Sequence, residues 1–295
     1  MYRIVNTFPE FLEMWKAAAR LSPEEQLDAW VARYMATYPE LLRKQQEDYA
    51  RGGEDWRRVA LERVLPSWPA RLPVMAQIQR DLAEVVGPVY RQAQHHLGLD
   101  CEVMVVIYVG LGCGAGWATT YQGKHACLFG LENIAECGWT TRESLAGLTA
   151  HELGHVFHAW CRGVFELEGE QSGPFWTLYA EGFAQRCEHI VMGYDSWHEQ
   201  HGHRDGARDW ITWCRDSQVK LAQEFLRRVR AGESTREFFG SWYDIEGWRQ
   251  SGYFLGHEAI KRLEVQLPLA RIALLSSEEV ERAMEAILAD MAGAR

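Results

Sequence analysis

Residues 151–155 read His-Glu-Leu-Gly-His. On a helix, His151 and His155 stand one turn apart on the same face, and two imidazoles at that spacing can share a zinc ion. Glu152 sits one position along, beside the metal rather than on it. A base must stand there to take a proton from zinc-activated water. A catalytic zinc also needs a third protein ligand and one open position. Glu181 is the candidate, in Tyr-Ala-Glu-Gly-Phe-Ala, where small residues flank the carboxylate. A carboxylate among apolar neighbours is costly unless it is paired or bound to metal. The plain alternatives are a solvated helix face that happens to carry two histidines, and an exposed glutamate on an amphipathic helix.

These residues need rigid elements to position them. Thr140 with Glu143 has the pattern of a capping box, and Leu145, Leu148, Leu153, Val156 and Phe157 continue at helical spacing to a stop at Gly163. The motif therefore falls well inside a helix. Phe183, Cys187, Ile190 and Val191 carry a second helix through Glu181, and Gly182 and Ala184 would let it pack closely on the first. Upstream, Cys101 to Val109 is β-branched and reads as a buried strand. Trp117–Tyr121 and Ala126–Leu131, joined by Gln122-Gly123-Lys124, would complete a meander. The first hundred residues read as helical, with Ser22 and Glu25 as a cap and breaks at Arg51-Gly52-Gly53 and at Pro66, Pro69 and Pro73 before a helix over about 74–97. Ser276 with Glu279 caps the last helix. The expectation is a predominantly helical α+β fold. Residues 1–100 form a helical layer or lobe and 101–295 the unit that carries the site, with one continuous domain as the alternative division.

HELGH followed by a downstream helix bearing Glu-Gly-Phe-Ala resembles the gluzincin, thermolysin-like branch of zinc metallopeptidases, and within it a set of bacterial predicted zinc-dependent proteases. The resemblance covers roughly residues 101–260 and is strongest at those two short motifs. It implies a zincin-like fold, with the small β-meander packed beside the HELGH helix and its edge strand lining the cleft. It also implies Zn²⁺ on His151, His155 and Glu181, with Glu152 as general base. Many members add a Tyr or His that stabilises the oxyanion. In Ser251-Gly-Tyr-Phe-Leu-Gly-His257 that residue is Tyr253 first and His257 second, and at four apart the two share a helix face. The implied activity is hydrolysis of peptide bonds in a peptide or protein substrate. If 115–121 is a sheet edge, such a substrate can bind by adding a strand beside it. One departure concerns the position one turn after Glu181, acidic in some members and Gln185 here. Such a side chain still hydrogen-bonds a ligand but brings no charge. Gly130-Leu-Glu-Asn133 is similar to the amine-anchoring motif of gluzincin aminopeptidases, which makes Glu132 the anchor in an aminopeptidase alternative. A non-catalytic zinc-binding interaction protein is the third reading.

Composition excludes other classes. With 31 basic against 41 acidic residues the chain carries a formal charge of -10. That field repels phosphate backbones and anionic lipid, so neither nucleic acid nor a membrane surface is expected as a partner. The uncharged stretch between Glu102 and Lys124 is rich in glycine and reads as strands, not as a membrane span. Gly110 to Gly116 invites a dinucleotide-loop reading, but Trp-Ala-Thr-Thr-Tyr after it is strand-like where that motif needs a helix. Seven cysteines, an odd number without a CxxC pair, read as free thiols in a reducing compartment, hence a cytoplasmic protein. Two further clusters stand out. His198, His201 and His203 with Glu199 and Asp205 are either a second metal site or a solvated loop. Glu166, Glu168 and Glu170 are either a cleft rim that favours basic substrates or a plain surface loop.

Overall fold

The computed structural model describes residues 1–167, 172–202 and 207–293, without the side chains of 201, 202 and 207–209. Four strands form one sheet: β1 (Tyr2–Asn6), β2 (Val103–Tyr108), β3 (Gly116–Tyr121) and β4 (Lys124–Gly130), in the order β1-β2-β4-β3. Val-Met-Val-Val-Ile-Tyr of β2 is buried at every position, as a central strand covered on both faces must be. β3 and β4 form a hairpin whose two loop residues, Gln122 and Gly123, both have positive φ, 51° and 71°. A two-residue loop of that hand matches the natural strand twist.

The expected meander is corrected in one respect. β4 lies between β2 and β3 and runs parallel to β2. The glycine-rich segment after β2 carries the chain past the place of β4 before β3 turns back, so β3 ends on the sheet's free edge. The helical reading of the first hundred residues missed β1, which pairs in parallel with β2 from Tyr2 against Val103 to Asn6 against Ile107.

Helices surround this sheet. The N-terminal third contributes α1 (Phe8–Ala18), α2 (Pro23–Ala29), α3 (Pro39–Arg51), α4 (Trp56–Val59) and the long α5 (Trp68–Leu97). Ser22 and Glu25 form their capping box. Pro73 does not interrupt a helix as expected. It sits inside α5, with Pro69 in the first turn, where missing amide hydrogens cost least. The buried Trp68, Met75, Ile78 and Leu82 hold that helix down. After the sheet come α6 (Leu131–Cys137), α7 (Arg142–Cys161) and α8 (Pro174–Met192). The chain ends in α9 (Ala207–Asp216), α10 (Gln218–Ala231), α11 (Ser251–Glu264), α12 (Leu269–Ile272) and α13 (Ser277–Met291), the last with its Ser276–Glu279 box in place.

The cap of α7 is Thr141 with Ser144, one residue later than Thr140 and Glu143. α7 is central: it packs on α5 on one side, α8 on another, and β3 and β4 beneath. That explains why its buried residues run all round it rather than along one stripe. α8 lies between α7 and α11. Gly154 of α7 meets the backbone of Ala184, and Gly182 of α8 meets Gly256 of α11. Ala184 therefore serves the α7 contact, whereas Gly182, expected to do the same, faces the opposite neighbour. Among the described residues no helix is long and apolar enough to cross a membrane. All seven cysteines are free.

Candidate metal centre

α7 presents His151 and His155 one turn apart, and α8 brings Glu181 against both. His151 Nε2 and His155 Nε2 lie 3.2 and 3.3 Å from the same oxygen, Glu181 Oε2. The proton on His151 is fixed from behind. Gln185 Nε2 donates to the Ser196 carbonyl at 2.9 Å, so its Oε1 is the atom that faces His151 Nδ1, at 3.3 Å. An Nδ1–H donated to that oxygen leaves Nε2 as a lone pair aimed at a carboxylate. Two acceptors that face each other call for a cation between them. Donor atoms held about 2.0–2.2 Å from a small divalent ion at tetrahedral angles stand about 3.3–3.6 Å apart. The separations found, 3.2 and 3.3 Å, lie at the short end of that spacing, and two imidazoles with one carboxylate leave a coordination position open. The group could hold a metal ion.

Its electrostatics agree. Burial opposes charge at Glu181, but His155 and His151 outweigh it and hold the carboxyl well below the ordinary range. Burial likewise works against charge on His155, and there Glu181 prevails and raises the imidazole. At His151 burial wins and the pKa falls.

Glu152 stands beside this group, under the free edge of the sheet. Burial pushes its carboxyl up to about 7, with His155 pulling the other way and the Ala118 amide also favouring the charged form. A carboxyl in that range can both take and return a proton near neutral pH. Space for it exists only because residue 116 is glycine, since a Cβ there would come 2.2 Å from Glu152 Oε1.

The group lines a cleft of about 1100 Å³ whose walls include Trp117, Trp139, Trp176 and Tyr253. This exceeds the roughly 300–1,000 Å³ usual for a small-molecule pocket. Tyr253, on the first turns of α11, places its ring 5.5 Å from that of His151. Burial raises its phenol far above the ordinary value, so it remains a proton donor. His257 does not share that face. It lies one turn deeper, packed 4.2 Å from the His189 ring and 4.9 Å from Trp197, and it does not line the cleft.

Other residues singled out by sequence have structural tasks. Glu132 is buried, and its two oxygens accept the Gly110 and Gly112 amides at 2.8 and 2.9 Å, so they are spent on the glycine-rich turn rather than offered to an amine. Those same amides are thereby closed to a phosphate. Glu166 is not a free rim charge. Its Oε1 accepts the Thr120 amide at 2.9 Å, the Thr119 and Thr120 hydroxyls, and Lys44 Nζ at 3.0 Å. Burial opposes its charge, yet these donors hold the carboxyl at about 2. β3 is thus an edge strand, but its Thr120 amide is already capped. Glu168, Glu170, His203 and Asp205 lie outside the described residues, as does the side chain of His201.

His198 and Glu199 are buried rather than solvated, and they meet Glu188, which the sequence reading missed. Glu188 lies two turns beyond Glu181 on α8. Its spacing from Glu181 was a usable signal, but nothing in the sequence showed that Gly147 of α7 would leave room for it. No protein-family model, curated protein or solved structure matches this chain.

Proposed function

We propose that this protein is a zinc-dependent metallopeptidase that hydrolyses peptide bonds of a peptide or protein substrate in the cleft beneath β3. The observation that carries the reading is the convergence of His151 Nε2 and His155 Nε2 on Glu181 Oε2 with Glu152 beside them. The donor set, two imidazoles and one carboxylate with an open position, is the kind that catalytic zinc uses. Bound there, zinc would supply Lewis acidity for the scissile carbonyl and make water a nucleophile near neutral pH.

The chain's own residues do the rest. A Glu152 carboxylate oxygen takes the proton as the water oxygen bonds to the carbonyl carbon. The same oxygen returns that proton to the amide nitrogen as the C–N bond breaks. Tyr253 Oη donates to the carbonyl oxygen as it gains negative charge. Gln185 holds His151 in the tautomer that leaves Nε2 for the metal. The outward backbone of β3 around Gly116–Ala118 is the place for an extended substrate to pair, ahead of the Glu166 cap at Thr120.

The test pairs bound zinc with cleavage of a mixed peptide substrate, in the wild type and in Glu152→Gln. Zinc content is expected to be unchanged in the variant and the rate to fall by about 10²–10⁴-fold, the usual worth of a general base. A variant as active as the wild type would overturn the mechanism. Wild-type protein that takes up no zinc would overturn the reading altogether.

A further inference from the structure

Behind His151 a second group of donors is buried in the protein, with His198 reaching the cleft wall. One donor atom from each of His151, Glu188, His198 and Glu199 lies within 4.8 Å of the others, and all four residues are buried. Glu188 is well served. Its Oε1 accepts the Ser196 hydroxyl at 2.7 Å and its Oε2 faces His198 Nδ1 at 2.7 Å. Glu199 is not. It is 0% exposed, and among the described residues neither of its carboxylate oxygens has a hydrogen-bond partner. A buried carboxylate left that way is among the costliest things a protein can enclose.

The histidine nitrogen beside it is His198 Nε2, 3.8 Å from Glu199 Oε1. That gap is too long for a hydrogen bond, so a proton on Nε2 does not bridge it. Two atoms bound to a common cation can stand that far apart. Glu188, by taking the Nδ1 proton, turns the Nε2 lone pair toward Glu199. A carboxylate that orients a histidine from behind is the usual support of a metal-binding imidazole. The space is also built. A Cβ at Gly147 of α7 would come 2.6 Å from Glu188 Oε1 and 3.1 Å from His198 Cβ, so only glycine admits this cluster against the helix. His151 is already committed, its Nδ1 to Gln185 and its Nε2 toward Glu181.

We infer that Glu188, His198 and Glu199 form a second divalent-cation site, separate from the His151–His155–Glu181 group. Two carboxylates with one imidazole suit Mn²⁺ or Zn²⁺, and a dication offsets both buried negative charges at once. The ion would tie the segment after α8 to α8 itself, and so fix His198 in the wall next to His151. This inference does not rest on the peptidase reading.

The experiment counts ions. Full-length protein is stripped with chelator, reloaded with zinc or manganese chloride alone, desalted, and analysed for metal per chain, alongside Glu199→Gln and His155→Ala. Circular dichroism checks that each variant is folded. The wild type is expected to hold two ions and each variant one. The second ion should also raise the thermal midpoint of His155→Ala, and not that of Glu199→Gln/His155→Ala. A wild type that saturates at one ion, lost in His155→Ala and kept in Glu199→Gln, overturns the second site and leaves the first standing. One ion lost in Glu199→Gln and kept in His155→Ala does the reverse. If Glu199→Gln does not fold, Glu199→Asp replaces it, and a wild type whose single ion is lost in His155→Ala with either metal still overturns the inference.

Discussion

Gly116 decides where Glu152 can stand. A methyl group on that residue would overlap the carboxylate at 2.2 Å from Oε1 and 2.6 Å from Cδ, and its three nearest atoms all belong to that one side chain. The side chain of Glu152, being the flexible partner, is the part that moves. On the proposed function, Gly116→Ala is expected to keep its fold and its metal content but to lose hydrolysis by about 10²-fold or more, as a base displaced by an ångström does. A kcat unchanged from the wild type in a peptide assay would show that Glu152 does not need this position. Residues on one helix are the legible ones. His151, Glu152 and His155 follow from helical spacing alone, and Glu181 from the cost of burying a carboxylate. The tautomer of His151 is not legible. It depends on Gln185 being pinned by the Ser196 carbonyl, a contact that only folding creates. Tyr253 reaches the cleft and His257 does not, because four residues along a packed helix carry a side chain away from the open end and into the core.

At the scale of elements, α8 carries one wall of the site only because it lies close to both neighbours. Its Gly182 faces Gly256 of α11 so closely that a Cβ on Gly182 would lie 2.2 Å from the Gly256 carbonyl carbon. That obstacle is backbone, which cannot rotate away. Gly182→Ala is expected to push α11 outward and cost about 1–3 kcal/mol or more, read as a lowered denaturation midpoint. Because Tyr253 rides on α11, the same variant should lose activity beyond its loss of stability. A midpoint and rate equal to the wild type would mean that the two helices have slack between them. The sequence shows both helices and the smallness of these residues, but not which neighbour each one meets. The strands follow the same rule. Their existence is written in the β-branched run of β2 and in the Gln122-Gly123 turn. Their order is not, since parallel pairing of β2 with β4 and of β1 with β2 joins segments that share no local pattern.

The whole molecule is laced across its length. β1 pairs with β2, Lys44 of α3 reaches Thr119 and Glu166, Gln45 accepts the Leu111 amide, and Arg142 at the start of α7 meets Asp81 of α5. Residues 1–100 and the proposed metal centre are thus expected to unfold in one transition, followed by tryptophan fluorescence and, in metal-loaded protein, by metal release together. Two separate midpoints would contradict that. The position of β1 has a consequence for how the chain survives its own synthesis. Until Tyr2–Asn6 docks, Val-Met-Val-Val-Ile-Tyr of β2 presents six apolar residues with one row of backbone groups unanswered, the kind of segment that stacks with its own copies. Five residues at the start of the chain act as its built-in guard against aggregation.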